Sequence, residues 1–444
     1  MTVDQAIEKS QSPYLAAFAR AEIELAGNGP RRLEEIRREA IDRFADLGFP
    51  TTRDEEWKFT NLSPLTSITF DRAGRGYDKH DVDALIRRLP ETPNRLVFVN
   101  GYYAPELSSW RNKGIKLLSF QKAFEQQNPK FEQLLCRYAD FRHHAFIALN
   151  TAFLADGAFV QIPAGAIIEE PILLLHISAG GAKPAVSYPR NLIVLGEHSQ
   201  ASIVETYIGL DGNSSLQPYF ANAVTEIVEG EEAILDHYKL QMEAGNAFHI
   251  ATIQAQVGRG GVFRSYAFNL GAALARTEIN SVLEEGSDCT LNGLYVTRGT
   301  QHVDSRTSID HAQPHATSHE LYKGILDDHS SAVFSGRIIV RKDAQKTDAK
   351  QTNKNLVLSE GATINTKPEL RIFADDVRCT HGATVGQLDA EAMFYLRSRG
   401  IELQQARTLL IQAFAREIID GIRIEPFRNY TENAFLARLS QEAT

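Results

Sequence analysis

The sequence predicts a mostly β protein whose core is a parallel β-helix, with helical regions on both sides of it. From Gly157 onward, the helical spacing of apolar residues gives way to short β-branched runs between polar turns, and this pattern continues for over 200 residues. Repeated strands and turns without helical crossovers are typical of solenoids whose coils stack strand on strand. At steps of 32, 29, 27, 43 and 30 residues, the segments align on Ala201, Ala233, Val262, Cys289, Ala332 and Ala362.

A second match supports this internal repeat. The stretch "QHVDSRT" resembles "QKTDAKQT", which places Asp304 44 residues before Asp348. A β-propeller is the competing repeat architecture, but the unequal steps and the lack of a recurring tryptophan-aspartate signature favour the β-helix. Because an open solenoid end exposes strand edges, the flanking helical regions are expected to cap the two ends.

Residues 1–150 are expected to form a mainly helical region with one small hairpin. In "PRRLEEIRREAIDRFADLGFP" the apolar residues recur at spacings of three and four, which predicts an amphipathic helix that stops at Gly48. The runs "RLVFVN" and "YYAPEL" meet at Asn100 and Gly101, a pair typical of tight hairpin turns. A further helical segment reaches about Leu149.

Residues 151–388 are assigned to the β-helix core and residues 389–444 to a C-terminal helical region. Asp389 is a candidate N-cap for a first helix that Gly400 ends. The stretch "FLARLS" predicts a last short helix. A second helix, from about residue 402 to 420, is expected to carry its apolar stripe on Leu403, Ala406, Leu410, Phe414 and Ile418.

Composition and charge exclude several classes of protein. The 47 basic and 56 acidic residues give a formal net charge of -9, so no broad positive field is present to hold nucleic acid or an anionic membrane. Acidic Asp4 and Glu8 stand where a signal peptide needs a basic start, and no apolar stretch approaches 18 residues. We therefore expect a cytoplasmic protein with neither nucleic acid nor membrane as a partner.

Cys379 and His381, in "DVRCTHGATVGQ", are the first candidate metal ligands. Residues two apart share one face of a strand, so this pair is expected to project side by side from a strand that Gly382 ends. Thiolate and imidazole together favour iron, zinc or copper. Val377 has the same parity, however, so the alternative is an interior face with a core thiol. Two ligands are also too few for a closed site, and no C-x-x-C spacing occurs in the chain.

Three histidines form a second candidate group. The stretch "HAQPHATSH" spaces His311, His315 and His319 by four residues. On a helix this spacing would align the three imidazoles, but Pro314 would break such a helix. In a β-solenoid these residues are expected at turns or edges, and metal binding is the alternative role.

Two carboxylates raise the possibility of an enzyme. Asp304 and Asp348 would lie on neighbouring coils, as a carbohydrate-active β-helix enzyme requires of its acid and base. Capping of turns is the other interpretation of these aspartates. The sequence has neither G-x-x-x-x-G-K-[ST] nor G-x-S-x-G, so any ATP-driven step is expected to belong to another protein.

Several longer stretches resemble one family. "VDSRTSIDHAQPHATSHELYKGIL", "VFSGRIIVRKDAQKTDAKQTNKNLVLS", "TKPELRIFADDVRCTHGATVGQLD" and "FYLRSRGI" are similar to the SufB/SufD family of iron–sulfur cluster assembly proteins. "DEEWKFTNL" resembles the amino-terminal signature of that family. Cysteine, a small hydroxyl residue and histidine before "GATVGQLD" resemble the SufD branch, since SufB proteins carry a different acidic stretch there.

This resemblance implies a right-handed parallel β-helix and a scaffold subunit with no catalytic activity of its own. It implies a heterodimer of SufB and SufD paired through their β-helices, each subunit holding one copy of the SufC ATPase by its C-terminal helices. A homodimer is the alternative when SufB is absent. The implied cargo is a transient iron–sulfur cluster shared with SufB. The assembled complex is also associated with reduced FAD, for which no site is assigned in this chain.

The resemblance also implies roles for particular residues. His381 corresponds to the histidine that helps to build the nascent cluster at the subunit interface, and Cys379 corresponds to its neighbouring cysteine. Thr380 stands where serine is usual, and Ala316 stands where many relatives have cysteine, so a ligand set that needs that thiol is in doubt. The residues expected to contact SufC are Phe394, Tyr395, Leu396, Arg397, Arg399, Leu410 and Phe414.

Overall fold

The computed structural model describes residues 3–25, 27, 29–111, 114–210 and 217–440. These residues form two long, mainly parallel β-sheets, which stack turn upon turn into a solenoid of about 7 turns with helical regions before and after it. The predicted mostly β fold is therefore confirmed. No helix in the described ranges has the length and apolar character needed to span a membrane.

Seven helices and four short strands are described before the solenoid. The helices are α1 (Val3–Leu25), α2 (Arg31–Leu47), α3 (Ser63–Thr66), α4 (Lys79–Ile86), α5 (Phe120–Glu125), α6 (Pro129–Leu134) and α7 (Ala145–Ala152). The strands are β1 (Asp71–Arg72), β2 (Asn94–Val99), β3 (Tyr102–Tyr103) and β4 (Lys116–Ser119). Helix α2 confirms the predicted amphipathic helix, and β2 and β3 form the predicted hairpin around Asn100 and Gly101, whose φ angles of 54° and 83° suit a tight turn.

The solenoid strands alternate between the two sheets. From β8 onward, even-numbered strands join the 11-stranded sheet A and odd-numbered strands join the 10-stranded sheet B. The strands are β5 (Ala158–Ile162), β6 (Ile172–Ser178), β7 (Ala185–Ser187), β8 (Arg190–Leu195), β9 (Gln200–Gly209), β10 (Tyr219–Glu229), β11 (Ile234–Met242), β12 (Phe248–Val257), β13 (Val262–Asn269), β14 (Leu274–Leu283), β15 (Asp288–Thr297), β16 (His302–His311), β17 (Thr317–Leu326), β18 (Ser331–Val340), β19 (Asp348–Val357), β20 (Thr363–Ile372) and β21 (Arg378–Gly386).

The strand register corrects the predicted repeat. Each turn carries one strand in each sheet, and in sheet B the aligned residues are Ala201, Leu235, Phe263, Cys289, Ser318, Ala349 and Cys379. One turn is thus 26 to 34 residues long. The predicted alignment passed from sheet B at Cys289 to sheet A at Ala332, so its 43-residue step covers about one and a half turns. Strands of the two sheets have the same period and similar composition, which is why the sequence did not distinguish them.

Strands from the N-terminal region extend both sheets. Strand β2 pairs in parallel with β6 of sheet B, and β4 pairs antiparallel with β5 of sheet A. The first turn of the solenoid is thereby covered by strands as well as by helices. Residues 1–150 consequently share their sheets with the β-helix core.

The side chains of the solenoid lie in three layers. Between the two sheets is a luminal core that includes Leu235, Phe263 and Leu291 of sheet B and Ile253, Ile279 and Ile309 of sheet A. The N-terminal helices cover the outer face of sheet A, where Phe44 and Phe146 belong to the same cluster as Phe220. The C-terminal helices cover the outer face of sheet B.

The amino-terminal signature "DEEWKFTNL" lies against the outer face of sheet A. The Arg276 guanidinium stacks over the Trp57 ring at 3.7 Å from its centroid. The Glu56 carboxylate forms ion pairs with Arg306 of β16 and, at 2.5 Å, with Arg337 of β18. The signature therefore fixes the N-terminal region to successive strands near the far end of the solenoid.

Three helices follow β21, and they modify the predicted C-terminal region. They are α8 (Ala390–Ser398), α9 (Leu403–Ile419) and α10 (Glu425–Ser440), and the last is longer than the predicted "FLARLS". Asp389 caps α8 as predicted, accepting hydrogen bonds from two backbone N–H groups, and Gly400 follows this helix with φ 85°.

The predicted stripe of α9 is partly wrong. Ala406 and Ile418 are buried, but Leu403 is 43% exposed, while Leu410 and Phe414 are half-buried. The helix is rotated so that the face packed on sheet B consists of Ala406, Ile411, Ala415, Ile418 and Ile419.

No helix described for residues 389–440 caps the C-terminal end of the solenoid, contrary to the prediction that helices cover it. Among the described residues, β20 and β21 pair with a parallel strand on one side only. Helices α9 and α10 lie on the outer face of sheet B instead of over this end. Three apolar side chains are exposed there: Ile372 at 40%, Phe373 at 64% and Val385 at 53%. We call β20, β21 and the segment between them the open end.

Candidate functional site

Cys379 and His381 lie on β21 at the open end. Their Cα partners on β19 are Ala349 and Gln351, whose side chains face the lumen, so both candidate ligands share the luminal face of the last strand. The predicted end of the strand at Gly382 is wrong, because the ladder with β19 continues to Gly386. The strand thus presents an imidazole and a thiol side by side at the mouth of the solenoid.

The two side chains differ in environment. Cys379 is half-buried and packs against an apolar cluster that includes Ile338 and Val340, and burial raises the pKa of its thiol. His381 is exposed. The alternative of a core thiol therefore has support for Cys379, whereas the imidazole is the more available ligand.

The pair does not make a closed metal site. The described part of the chain has no group of three or more His, Cys, Asp and Glu side chains arranged to hold a metal ion. Structural sites for thiolate- and imidazole-binding metals need about four ligands. The described residues therefore supply only part of a metal site at His381.

Two polar residues beneath His381 were not predicted as part of the site. Gln351 and Glu320 occupy the same luminal column, one and two turns below His381. The Thr307 hydroxyl donates to Glu320 Oε1 at 2.5 Å, and Gln351 Nε2 donates to Oε2 at 2.7 Å. Burial raises the pKa of Glu320 to about 7, although these two hydrogen bonds act in the opposite direction. A correct alignment of the sheet B strands would have placed both residues under His381.

The raised pKa of Glu320 predicts a pH-dependent stability. Between about pH 4.5 and 7 the folded chain holds a proton on Glu320 that the unfolded chain has lost, so stability decreases as pH rises through this range. The slope is about 1.4 kcal/mol per pH unit, or at most about 3 kcal/mol in total. We therefore expect the free energy of unfolding of Glu320→Gln, measured in urea, to rise relative to that of the unmodified chain as the pH increases from 5 to 8. Glu360→Gln, at an exposed turn, should show no such gain.

The three spaced histidines are not brought together. His311 is buried in the lumen, with Nε2 at 2.9 Å from Ser318 Oγ, and burial lowers its pKa to about 4. His315 occupies a turn with φ 63°, as expected of a turn residue. His319 is exposed on β17. The residues before and after it face the lumen, so His319 faces outward. The expectation of turn or edge positions is therefore confirmed for His315 but wrong for His311 and for His319, which lies in a strand paired on both sides. The structure gives the three histidines no shared site.

The predicted pair of aspartates is also wrong. Asp304 lies on β16 of sheet A and Asp348 begins β19 of sheet B, so they do not face each other on neighbouring coils. The Asp304 carboxylate is buried on the outer face, where it pairs with Arg276 and Arg306 and accepts a hydrogen bond from Thr60 at 2.6 Å. An aspartate held in this way has a structural role, and the arrangement does not support carbohydrate hydrolysis.

A second polar cluster fills the lumen nearer the N-terminal region. Lys239 Nζ lies 2.9 Å from His249 Nε2, and His249 Nδ1 lies 2.7 Å from a Glu243 carboxylate oxygen. Burial lowers the pKa of Lys239 to about 8. Glu205 and His237 form a neighbouring buried pair at 3.4 Å. These residues were not predicted, because the sequence pattern of a strand does not distinguish a polar residue on the luminal face from one on the outer face.

Helix α8 provides an exposed surface. No residue of α8 is buried, and Phe394 and Tyr395 expose 75% and 58% of their surface. Leu396 is half-buried, and Arg397 and Arg399 are exposed on the same helix and its C-terminus. We call these five residues the α8 surface.

Comparison with known proteins identifies the family. A model described as "SUF system FeS cluster assembly, SufBD core domain" matches residues 176–414, and one described as "SufBD protein N-terminal region" matches residues 8–174. The chain belongs to the SufBD family. The resemblance seen in the sequence is thereby confirmed. The SufBD core match extends from β6 into α9, so it includes Cys379, His381 and the α8 surface.

Individual SufBD relatives cover nearly the whole chain. An iron–sulfur cluster assembly SufBD family protein of Synechocystis sp. is 40% identical over 409 residues, which are 90% of this chain and 89% of the relative. The iron–sulfur cluster assembly protein SufD of Escherichia coli is 32% identical over 404 residues, 90% of this chain and 91% of SufD. SufD of Bacillus subtilis is 26% identical over 426 residues, 93% and 94% of the two chains. The chain is thus an iron–sulfur cluster assembly protein of the SufBD family and a homologue of SufD.

Proposed function

We propose that this protein is the SufD-type, non-catalytic scaffold subunit of a SufB–SufC–SufD complex, and that it helps to build a nascent iron–sulfur cluster at its interface with SufB. The observation that carries the proposal is the open end, which combines unpaired strand edges with the incomplete ligand pair His381 and Cys379. A site that lacks ligands and a surface that lacks a partner occur at the same place. One partner can complete both.

Pairing at the open end has a physical reason. The unpaired edges of β20 and β21 present backbone donors and acceptors that another strand can satisfy. Burial of Ile372, Phe373 and Val385 would add an apolar contribution. A SufB chain with a similar open end is the proposed partner, and a second copy of this chain is the alternative when SufB is absent.

Iron and sulfide are the cargo at this interface. His381 is exposed at the open end and can offer a ring nitrogen to iron. Cys379 binds metal only as thiolate, which the raised pKa of its half-buried thiol disfavours. His381 is therefore the principal ligand from this side, and Cys379 contributes less. We assign no residue of this chain to the reduced FAD that the resemblance associates with the complex.

The SufC ATPase is proposed to bind the α8 surface. Exposed aromatic and arginine side chains are the residue types that contribute most at protein interfaces. Helix α9 connects this surface to the solenoid, since Ile411, Ala415 and Ile418 are buried against sheet B and Lys323 Nζ donates to the Phe414 carbonyl at 2.7 Å. When two SufC copies bind ATP and dimerise, they would then twist the two solenoids against each other. The proposed coupling of ATP to cluster assembly is mechanical.

The protein is proposed to act in the cytoplasm. Its thiols Cys136, Cys289 and Cys379 form no disulfide. Dispersed free thiols are usual in a reducing compartment.

The α8 surface provides the test of complex formation. We expect the double variant Phe394→Ala and Tyr395→Ala, coexpressed with SufB and SufC, to lose SufC while retaining SufB. Loss of two exposed aromatic anchors should weaken SufC binding at least about 30-fold, as hot-spot residues do. Quantitative copurification and titration with SufC measure this effect.

The matched control for that test is Ile167→Ala. Ile167 is 67% exposed near the start of the solenoid. Its replacement by alanine should leave SufC binding unchanged. Full SufC binding by the double variant would remove α8 from the interface. Failure of the unmodified chain to retain either partner would contradict the scaffold proposal itself.

A further inference from the structure

The column of luminal residues below His381 is polar for two turns and then becomes apolar. In sheet B, His381, Gln351, Glu320 and Leu291 are successive Cα partners. Leu291 is fully buried and belongs to the luminal core, so it separates this upper polar group from the lower cluster around His237. Glu320 and Gln351 therefore lie in this column between the apolar layer and His381.

Hydrogen bonds determine the orientation of the Gln351 amide. Gln351 Nε2 donates a hydrogen bond to Glu320 Oε2 at 2.7 Å. Oε2 can accept this bond whether Glu320 is ionised or carries a proton on its other oxygen, so the amide keeps this orientation in both states. The other Glu320 oxygen is occupied by the Thr307 hydroxyl. On the opposite sheet, Gly336 leaves the space for this amide, because a Cβ there would overlap Gln351 Nε2. The amide is thus held from both sides.

The same orientation leaves Gln351 Oε1 buried without a hydrogen-bond partner among the described residues. A buried acceptor without a donor destabilises the folded state. The neighbouring side chain in the column is His381, and adjacent strands of a sheet lie only about 4.8 Å apart. A neutral imidazole carries one N–H donor and one nitrogen lone pair.

We infer that Gln351 is a positioning residue for His381: its Oε1 accepts the imidazole N–H and leaves the other ring nitrogen free at the open end. Glu320 acts one step further away, since it decides which end of the Gln351 amide faces His381. Histidines that bind metals usually donate their second nitrogen to a fixed acceptor, which sets the tautomer and the ring orientation. The relevance to iron rests on the proposed function of His381, whereas the hydrogen bond itself does not.

The tautomer of His381 tests this inference directly. In long-range ¹H–¹⁵N spectra of the full chain with ¹⁵N-labelled histidine, the His381 signals are assigned by their loss in His381→Ala. We expect one tautomer of neutral His381 in the unmodified chain and a mixture of two in Gln351→Leu. Asn353→Leu alters the next luminal residue of β19 outside the column and should keep the single tautomer. A mixture in the unmodified chain overturns the inference, and this observation needs no variant to fold.

Metal binding gives a second, separable readout. With SufB present, we expect Gln351→Leu to weaken Co²⁺ binding at the open end by about 10-fold or more, in the range seen for such supporting residues. Unchanged Co²⁺ affinity together with an unchanged tautomer in Gln351→Leu would also overturn the inference. Undiminished cluster formation by His381→Ala would instead overturn the proposed function while leaving the tautomer result intact.

Discussion

Replacing His381 by alanine should abolish cluster formation in a complex that still assembles. His381 is the exposed member of the ligand pair on β21, and the described residues offer no third ligand that could take its place. The open end and the α8 surface do not depend on its side chain. We expect the complex of this variant with SufB and SufC to form in normal yield but to contain less than about a tenth of the iron and sulfide of the unmodified complex, a loss in the range for removal of a metal ligand or its support.

His319→Ala is the matched control for this experiment. His319 is also exposed on sheet B, but it lies on β17 and outside the lumen. It should leave the iron and sulfide contents unchanged. The Cys379→Ala complex is expected to have iron and sulfide contents between those of the His381→Ala and His319→Ala complexes, because burial disfavours the thiolate of Cys379. A full complement of iron and sulfide in the His381→Ala complex would remove this residue from the site.

Replacing Glu226 by alanine should lower the free energy of unfolding by about 3–5 kcal/mol, as expected when a buried ion pair loses one partner. Glu226 and Arg190 are fully buried side chains whose charged groups lie 2.6 Å apart. The Glu226 carboxylate also accepts backbone N–H groups from residues 136, 138 and 139, at 3.0, 2.9 and 3.1 Å. Its removal would leave the buried guanidinium without this negative charge and would take away the acceptor of these amides.

Urea unfolding at neutral pH measures this effect. Glu232→Ala is the control, because the Glu232 carboxylate contacts His198 Nδ1 at 3.1 Å with both side chains 60% exposed. Exposed pairs contribute about 1 kcal/mol or less. If Glu226→Ala lowered the free energy of unfolding by no more than this control does, Glu226 would not hold the N-terminal region to sheet A.

The sequence predicted the parts of the fold that depend on local pattern. The amphipathic pattern of α2, the asparagine-glycine turn at residue 100 and the N-cap Asp389 all encode their structures within a few residues. The repeat itself was visible for the same reason, since strands and polar turns alternate along the chain. These features require no knowledge of which strand lies next to which.

What the sequence did not predict depends on contacts between distant turns. Strands of both sheets share one period, so the alignment crossed between sheets at Ala332 and wrongly paired Asp304 with Asp348. The same ambiguity hid Glu320 and Gln351, whose position under His381 follows only from the register. His381 and Cys379 were found as a pair because both belong to one strand.

The open end also affects how much of the protein a cell can maintain. A newly made subunit exposes two strand edges and the apolar side chains of Ile372, Phe373 and Val385 until a partner covers them. Such edges promote aggregation, and chains held in an aggregation-prone state are removed by chaperones and proteases. The abundance of this protein should therefore follow the supply of its partner, with surplus copies degraded or paired with each other.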